Sequence, residues 1–385
     1  MKKIFIFIFG CLLFSRGLIF SQQKVWSLED CIKYAIDNNI QIKQQIIQTE
    51  VQKNSLDLAK FQLLPTLNGQ ASHAYSSGRA LDQTTYQYLN NQTLLSDYFY
   101  LGGSMPVFNG LQNYNSIRKN KYQVLAGEQD LQNISDNIAL NVALAYLQIL
   151  LNKELVAAND NQLNITLQQI EKTRKLVDAG SVAKGNLLQI EAQAAQEELS
   201  LITMKNQLET SVLTLTQFLE LKTPAGFEIV VPEINVDPNS AVSGNIDDIY
   251  TIAEKNRPEI KSSELKLTAN QYSLKIAKGG RSLILYLNYS LNTRYSRPSN
   301  LPGDQSFSSQ FKNNKSPGVG LNLNIPILNG WQVNKNISTS KLNVETSQYT
   351  LEGTKKQLYK SIQQSYTDAV AALKKFNVSI KAIAS

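Results

Sequence analysis

Few residues of this chain have the types and spacing that enzyme chemistry requires. His73 is the only histidine, so a zinc site built from several histidines is excluded. Its place in an alternating segment favours a packed or interfacial side chain over a ligand. Asp247 and Asp248 could bind a metal ion together, but adjacent carboxylates at a helix start more often interact with the helix dipole.

Two glycine pairs also lack the context of a binding site. Neither Gly102-Gly103 nor Gly279-Gly280 is followed by the Lys-Ser or Lys-Thr of a phosphate-binding loop. Both pairs are better explained as relief of crowding in or before strands. The sequence therefore predicts no catalytic residue, no cofactor, no bound metal and no enzyme activity.

The elements that would have to position a functional site form an internal repeat. A five-residue turn, Pro106-Val107-Phe108-Asn109-Gly110, returns 220 residues later as Pro326-Ile327-Leu328-Asn329-Gly330. Upstream, residues 35–43 match residues 253–261 at an offset of 218, and a two-residue insertion near Gly279-Gly280 would account for the difference. A repeat decides architecture before other features do, so two similar halves are expected. The residues that define the repeated turn are Pro106, Asn109, Gly110, Pro326, Asn329 and Gly330.

The first 21 residues are typical of an export signal. Two lysines form a charged start, a short apolar run continues to Phe14, and small residues lead to Ser21. Cleavage near Ser21 is the favoured prediction, and a lipoprotein cleavage site at Cys11 is the alternative.

Composition after cleavage excludes several classes of protein. The chain would carry 35 basic and 31 acidic residues, so the net charge falls from +7 to +4 and nucleic acid is not expected as a partner. Cys31 remains as the one cysteine, which excludes an internal disulfide. No later segment is expected to cross a membrane as a helix, so insertion would require a closed β-barrel.

Repeat 1 is predicted over residues 22–245. Ser27 should cap a helix over residues 27–64, with Asp30 in its first turn, and Pro65 should stop it. Alternation of period two and then helical spacing predict the elements that follow. These are strands over 66–76 and 98–107 with a polar loop from Arg79 to Ser96 between them, a long helical hairpin over 111–221, and an extended connector over 222–245.

Repeat 2 is predicted over residues 246–385 in the same order. Its elements are a helix over 247–278, strands over 283–295 and 318–326 with a polar loop from Ser296 to Ser316 between them, and a long helix over 331–385. A second tip, return helix and connector are expected beyond this, in a chain of about 440 to 450 residues. Strands of about ten residues suit a tilted membrane crossing. A soluble sandwich would alternate in the same way, but the export signal favours the membrane.

Four strands per chain cannot close a barrel. The smallest membrane barrels need eight strands, and an open edge in lipid leaves backbone groups without hydrogen bonds. Several copies must therefore combine their strands: two copies give eight and three give twelve. Asn, Ser and Tyr side chains on one strand face suit the water-filled interior of a larger barrel.

In the order and duplication of these motifs, the chain resembles the TolC-type outer-membrane efflux family. The resemblance covers nearly all of the chain after the export signal. It is carried by the helix starts Asn38–Ile42 and Asn256–Ile260, by Leu64-Pro65, by the repeated turn, and by the hairpin tip Ala179-Gly180-Ser181 with residues 186–192 after it. Leu285 departs from the pattern, because it stands where copy one has Pro65.

The resemblance implies a mostly α-helical fold with membrane β-structure. Two repeats of long helical hairpins and four strands per chain would form a trimer with a twelve-strand outer-membrane β-barrel and a periplasmic α-helical tunnel. Such a channel serves a tripartite efflux or type I secretion system as a passive exit duct. The implied partners are two further copies of the chain, outer-membrane lipid, a periplasmic adaptor (membrane-fusion) protein, and an inner-membrane transporter of the RND, ABC or MFS type.

The hairpin tip is the one predicted contact site. Gly180, Ser181 and Val182 form it; the pattern alone also fits a plain turn, and the resemblance assigns these residues to the adaptor. Six strand tyrosines are interpreted either as girdles at the membrane surface or as ordinary strand aromatics: Tyr88, Tyr98, Tyr100, Tyr286, Tyr289 and Tyr295. The alternative function is a surface-anchored structural or adhesive stalk. A soluble periplasmic enzyme has little support, because no acid–base pair or nucleophile is present.

Overall fold

The chain is described here by a computed structural model. It covers residues 25–81, 86–233, 244–298 and 306–384. The predicted export signal over residues 1–21 lies outside these described residues. Two compact units are present: the first contains residues 25–44 and 134–233, and the second contains residues 45–133, 244–298 and 306–384. The units do not follow the two repeats, because residues of both repeats belong to the second unit.

The first unit begins with a short strand and a capped helix. Strand β1 is Val25–Trp26 and helix α1 is Leu28–Asn38. Ser27 caps α1 as predicted, since its hydroxyl accepts a hydrogen bond from the Asp30 amide at 3.1 Å. The Asp30 carboxylate accepts one from the Ser27 amide at 3.4 Å, which completes a capping box.

The single helix predicted over residues 27–64 is wrong, because Asn39 interrupts it. Helix α2 begins after this residue and spans Ile40–Phe61. Asn39 has φ −59° and ψ 132°, outside the helical region. Its side-chain Oδ1 accepts a hydrogen bond from the Gln41 amide at 2.9 Å, as a capping side chain does for a following helix.

Helices α3 and α4 form the long hairpin. They span Gln112–Asp178 and Lys184–Phe218, and the 67 residues of α3 correspond to about 100 Å. In the first unit both helices bury apolar side chains that are less than a tenth exposed: Ile138, Val142, Ala145, Ile149, Ile170, Leu187, Leu201 and Leu215.

Tyr146 of α3 fixes the extended segment after α4. Its side chain is 2% exposed, and its hydroxyl donates to the Val230 carbonyl and lies 3.3 Å from the Trp26 carbonyl oxygen. Burial raises the pKa of this phenol. Strand β4, Glu228–Ile229, pairs in parallel with β1. The predicted extended connector therefore includes a short strand in its described part.

The second unit contains an antiparallel sheet of four strands. In the described residues the order is β2-β3-β5-β6, so β2 and β6 are its edges. The strands are β2 Asn68–Leu81, β3 Tyr88–Phe108, β5 Ile284–Pro298 and β6 Ser316–Asn324.

The predicted polar loop from Arg79 to Ser96 is wrong, because most of its described residues are strand. The hairpin of β2 and β3 continues to the pair Leu81 and Tyr88, past an irregularity between Gly78 and Ala80. Backbone hydrogen bonds do not depend on side-chain polarity, so a hairpin can continue where apolar alternation stops. The predicted strands over 66–76 and 98–107 were accordingly too short.

The predicted polar loop from Ser296 to Ser316 contains a helix. Helix α7 spans Phe307–Asn313, and the Ser306 hydroxyl caps it by accepting from the Ser309 amide at 3.3 Å. The Gln310 side chain exchanges two hydrogen bonds with the backbone of Ser296, at 2.9 and 3.0 Å. An amide can both donate and accept, so it extends the strand's hydrogen bonding onto the helix.

Repeat 2 has a break like that of repeat 1. Arg257, 218 residues after Asn39, has φ −66° and ψ 129° and separates α5 from α6. The bounds are Ile246–Asn256 for α5 and Pro258–Gly279 for α6. A residue before proline avoids the helical region, so the continuous helix predicted over 247–278 is wrong.

Helix α8, Gln332–Ala384, packs along α6 through polar contacts. Asn270 donates from Nδ2 to Ser347 Oγ at 2.6 Å, and Lys355 forms an ion pair with Glu254 at 2.8 Å.

The strand register places the two-residue change between the repeats. Both α2 and α6 have 22 residues, related by the offset of 218. The pair Asn68 and Gly102 corresponds to Tyr286 and Asn322 only if the first strands keep 218 and the second strands have 220. The change therefore lies between the paired strands and not near Gly279-Gly280. Leu283, not Leu285, occupies the position of Pro65.

The repeated turn has the same backbone conformation in both halves. Gly110 and Leu111 have φ of +66° and +62°, and Gly330 and Trp331 have +57° and +62°. This left-handed region is the reason for glycine at the first position. The turns differ in their surroundings, because a Cβ on Gly110 would lie 2.4 Å from the Gly279 carbonyl oxygen, whereas nothing lies within 4 Å at Gly330.

One helix corrects the expectation that no later segment could span a membrane. By length and composition alone, α3 contains an 18-residue stretch with mean hydropathy 1.4, of which 28% is buried. Its apolar residues continue on the exposed side, where Leu140, Leu144, Leu147 and Leu151 follow the 3/4 spacing of one helical stripe. The sequence prediction considered only unbroken apolar runs and so missed this stretch.

We expect Tyr146→Phe to lower the free energy of unfolding by about 1 kcal/mol, since it removes a buried hydrogen bond and leaves the Val230 carbonyl without this donor. Tyr349→Phe is the control, because that ring is 65% exposed. Urea unfolding followed by far-ultraviolet circular dichroism would measure both. Equal effects of the two substitutions would contradict the structural role of the Tyr146 hydroxyl.

Gly110→Ala should destabilise the protein more than Gly180→Ala, by about 1–3 kcal/mol. Both glycines have positive φ, +66° and +71°, so the conformational cost of a side chain is shared. Only Gly110 has a neighbouring carbonyl in the path of a Cβ, whereas Gly180 has nothing within 4 Å. The same unfolding experiment applies, and a larger loss at Gly180 would argue against the close contact with Gly279.

Candidate functional site

The four-stranded sheet has one apolar and one polar face. Paired residues on the apolar face include Leu101 with Leu291 and Leu287 with Leu321. The polar face carries Ser104 opposite Asn288, and Tyr286 opposite Asn322. Because side chains alternate along each strand, a single sheet can present lipid-compatible residues on one side and a wet surface on the other.

The six strand tyrosines do not share one face. Tyr98, Tyr100 and Tyr286 follow the polar face, whereas Tyr289 and Tyr295 follow the apolar one. The Tyr88 ring lies 4.9 Å from the Arg79 guanidinium at the far end of the hairpin. A single girdle of all six tyrosines is therefore wrong. The two on the apolar face are the ones placed to contact lipid.

An aromatic cluster on the apolar face was not predicted from the sequence. Phe307 and Phe311 of α7 lie 6.2 and 5.4 Å from Phe99, and Phe307 lies 5.2 Å from Tyr295. The Thr293 hydroxyl beneath them donates to the Phe311 carbonyl at 2.8 Å. The signal that could have revealed this cluster is the spacing of two phenylalanines four residues apart after a capping serine.

His73 pairs with a carboxylate. Its Nδ1 lies 2.5 Å from Asp97 Oδ1, directly across the strand pair, and its ring meets Tyr75 edge-on at 4.9 Å. The structure thus gives His73 a side-chain partner on its own sheet. Within the described residues, no group of three or more His, Cys, Asp or Glu side chains is arranged to hold a metal ion.

The remaining residues singled out by the sequence have structural surroundings. Asp247 lies in the first turn of α5, and its Oδ1 accepts a hydrogen bond from the Tyr359 hydroxyl at 3.3 Å. Asp248 lies in the same turn. A Cβ on Gly103 would lie 1.7 Å from the Thr66 carbonyl oxygen, so only glycine permits this approach.

The hairpin tip is a compact capped turn. Gly180 donates its amide to the Val177 carbonyl and Ser181 donates to the Leu176 carbonyl, both at 2.9 Å. These two bonds and the positive φ of Gly180 form a Schellman motif. Gly180 and Ser181 are exposed and Val182 is half-buried. All three residues are thus brought together between α3 and α4.

Packing below the tip holds it in place. Ile170 of α3 forms a buried cluster with Leu187 and Ala194 of α4, and Leu163, Val177 and Ile190 pack against it. Arg174 bridges the helices, with Glu171 at 3.1 Å on its own helix and Glu191 at 3.2 Å on the other. An exposed turn on a packed hairpin presents a defined surface rather than a catalytic pocket.

Comparison with known proteins agrees with this arrangement. The profile of the family described as outer membrane efflux protein matches residues 31–219 and 249–380. Outer membrane efflux protein BepC of Brucella suis biovar 1 (strain 1330) is 20% identical over 350 residues, which cover 90% of this chain and 70% of BepC. Outer membrane protein TolC of Escherichia coli (strain K12) is 21% identical over 355 residues, covering 90% of this chain and 69% of TolC.

Solved structures show the same fold at low sequence identity. The outer membrane protein VceC of Vibrio cholerae has a TM-score of 0.77 at 16% identity, over 92% of this chain and 82% of VceC. The CmeC outer membrane channel of Campylobacter jejuni has a TM-score of 0.70 at 18% identity, over 92% and 75%. None of this supports the adhesive-stalk alternative. The chain belongs to the outer membrane efflux protein family and is an outer-membrane efflux channel of the TolC type.

Proposed function

We propose that the chain acts as the passive exit duct of a tripartite efflux or type I secretion system and assembles as a homotrimer. In this assembly, twelve strands close a β-barrel in the outer membrane and the long helices form a periplasmic tunnel. The duct performs no chemistry. Its energy comes from an inner-membrane transporter of the RND, ABC or MFS type, which reaches it through a periplasmic adaptor.

The observation that carries this proposal is the pair of free edges on the sheet. In the described residues β2 and β6 each pair on one side only. β6 is exposed along its whole length, and β2 is exposed from residue 68 to 77. In lipid each unpaired backbone group costs several kcal/mol, so the edges require strands from other copies. Twelve strands leave a lumen that eight would fill.

The two faces of the sheet support a water-filled barrel. Val319 and Leu321 on the apolar face are 80% and 68% exposed, and lipid would cover them. Asn288 and Asn322 follow the polar face, which would line the lumen. A wide polar lumen selects cargo weakly, which suits an exit duct fed by a selective pump.

The long hairpin supports a tunnel of packed helices. The stripe Leu140, Leu144, Leu147 and Leu151 is exposed by 49–58% in the single chain. A stripe of this kind gains about 25 cal/mol for each Å² of apolar surface removed from water. Lengthwise packing against helices of neighbouring copies would cover it without a globular core.

The tip residues Gly180, Ser181 and Val182 are the proposed contact with the adaptor. Their support is the exposure of Gly180 and Ser181 and the packed core beneath them. The capped turn leaves little conformational freedom to lose on binding, which favours a docking surface.

The purified full-length protein should form trimers and conduct ions. We expect discrete conductance steps when it is added to a planar lipid bilayer, because a closed twelve-strand barrel leaves a water-filled path. A sample dissociated by heating in detergent is the control and should not conduct. A monomeric protein without conductance would reject the proposed duct.

The orientation of the tip separates a duct from a surface stalk. A cysteine placed by Ser181→Cys should resist a membrane-impermeant maleimide on intact cells and react once the outer membrane is permeabilised. Tyr86→Cys is the matched control, because Tyr86 is 68% exposed beside the β2–β3 connection, on the opposite side of the barrel in this proposal. It should react on intact cells. Labelling at Ser181 on intact cells would contradict a periplasmic tip.

A further inference from the structure

We propose that the contact between neighbouring subunits repeats the contact between the two halves of one chain, so that β6 pairs with β2 of a second copy in a defined register. This inference rests on the proposed assembly. It adds to that assembly the residues that meet, and so gives the interface a sequence-level description that the number of subunits does not supply.

The template is the pairing of β3 with β5. β3 is the second strand of repeat 1 and β5 is the first strand of repeat 2, and they are antiparallel. Leu101 lies opposite Leu291, Tyr100 opposite Asn292 and Ser104 opposite Asn288. β6 is likewise the second strand of its repeat, and the strand that follows it around a closed barrel is the first strand of another copy, β2.

The two offsets convert this template into a register. Residues of β3 correspond to residues of β6 that stand 220 later, and residues of β2 correspond to residues of β5 that stand 218 later. The pair Leu101 and Leu291 then becomes Leu321 opposite His73 of a second copy. On the polar face, the pair Gly102 and Ser290 becomes Asn322 opposite Ser72 of a second copy.

The chemistry of both faces agrees with this register. Polar side chains meet polar or small ones, as in Asn322 with Ser72, and Leu323 meets Ala71 on the apolar face. A slip by one residue would exchange the faces and direct Leu321 and Leu323 toward the polar side. One-residue slips are therefore excluded by the pattern alone.

The repeated turn argues against a slip by two residues. Within one chain, Gly110 is packed against the helix end of the other repeat, so that its Cβ would lie 2.4 Å from the Gly279 carbonyl oxygen and 2.6 Å from the Ser282 Cβ. The equivalent neighbours of Gly330 are Phe61 and Leu64 of a second copy. A slip by two residues would move the turn by about 7 Å along the strand direction and remove this contact.

The exposed side chains at these positions fit such a contact. Ile327 and Leu328 of the second turn are 87% and 95% exposed, and Phe61 and Leu64 are 62% and 56% exposed. Phe61 stands where the other repeat has Gly279, so the second turn must lie slightly farther from its helix. The Phe61 ring then provides the apolar surface that Ile327 and Leu328 would cover.

Cysteine cross-linking in the full-length protein tests the register. Asn322→Cys would be combined in turn with Gln70→Cys, Ser72→Cys and Ala74→Cys. Directly opposite residues have Cα atoms about 4.5–5.5 Å apart, which permits a disulfide, whereas Cα atoms more than about 7 Å apart cannot be bridged. After mild oxidation we expect the Ser72 pair to give covalent trimers on non-reducing gels, at least about fivefold more than either shifted pair. The native Cys31 is fully buried and should contribute little background.

A second variant covers the alternation of hydrogen-bonded and non-hydrogen-bonded pairs along the strands. Leu323→Cys with Ala71→Cys tests the same register on the other face, where the local geometry differs. Preferential linkage of a shifted pair in an intact trimer would overturn the register and leave the duct proposal standing. Failure of both opposite pairs in an intact trimer would do the same. Absence of a trimer in the untreated protein would overturn both proposals.

Discussion

The structure depends on the need of every backbone amide and carbonyl for a hydrogen-bond partner. Along the two inner strands of the sheet, β3 and β5, this need is met within the chain on both sides. At β2 and β6 it is met on one side only, and both strands are exposed. Water can satisfy such edges, but lipid cannot, so a membrane environment turns an incomplete sheet into a requirement for further copies.

The internal repeat gives the fold two related ways of meeting this constraint. Extended residues interrupt the first helices at Asn39 and Arg257, and left-handed pairs form the turns at Gly110 and Gly330. These features recur because the same local geometry is needed wherever a helix leads into a strand and a strand returns to a helix. The surroundings differ, since Gly110 meets the carbonyl of Gly279 whereas Gly330 is open in the single chain.

The helical part meets a different constraint. A helix of 67 residues cannot be covered by a globular core, so its apolar residues divide between a buried side and an exposed stripe. Polar contacts then connect helices along their length, as Arg174 does between α3 and α4. At the end of the hairpin the Schellman motif uses the positive φ of Gly180 to reverse the chain while leaving Ser181 exposed.

The sequence by itself determined the duplication, the family resemblance, the capping of the first helix by Ser27 and the alternation that gives the strands two unlike faces. These follow from local propensity and periodicity, which act over a few residues. Only the tertiary structure decided how far the strands extend, that α7 covers Phe99, and that the repeat offset changes between the strands rather than at Gly279. Pairing register and packing depend on residues far apart in the chain, and local pattern carries no record of which backbone lies opposite which.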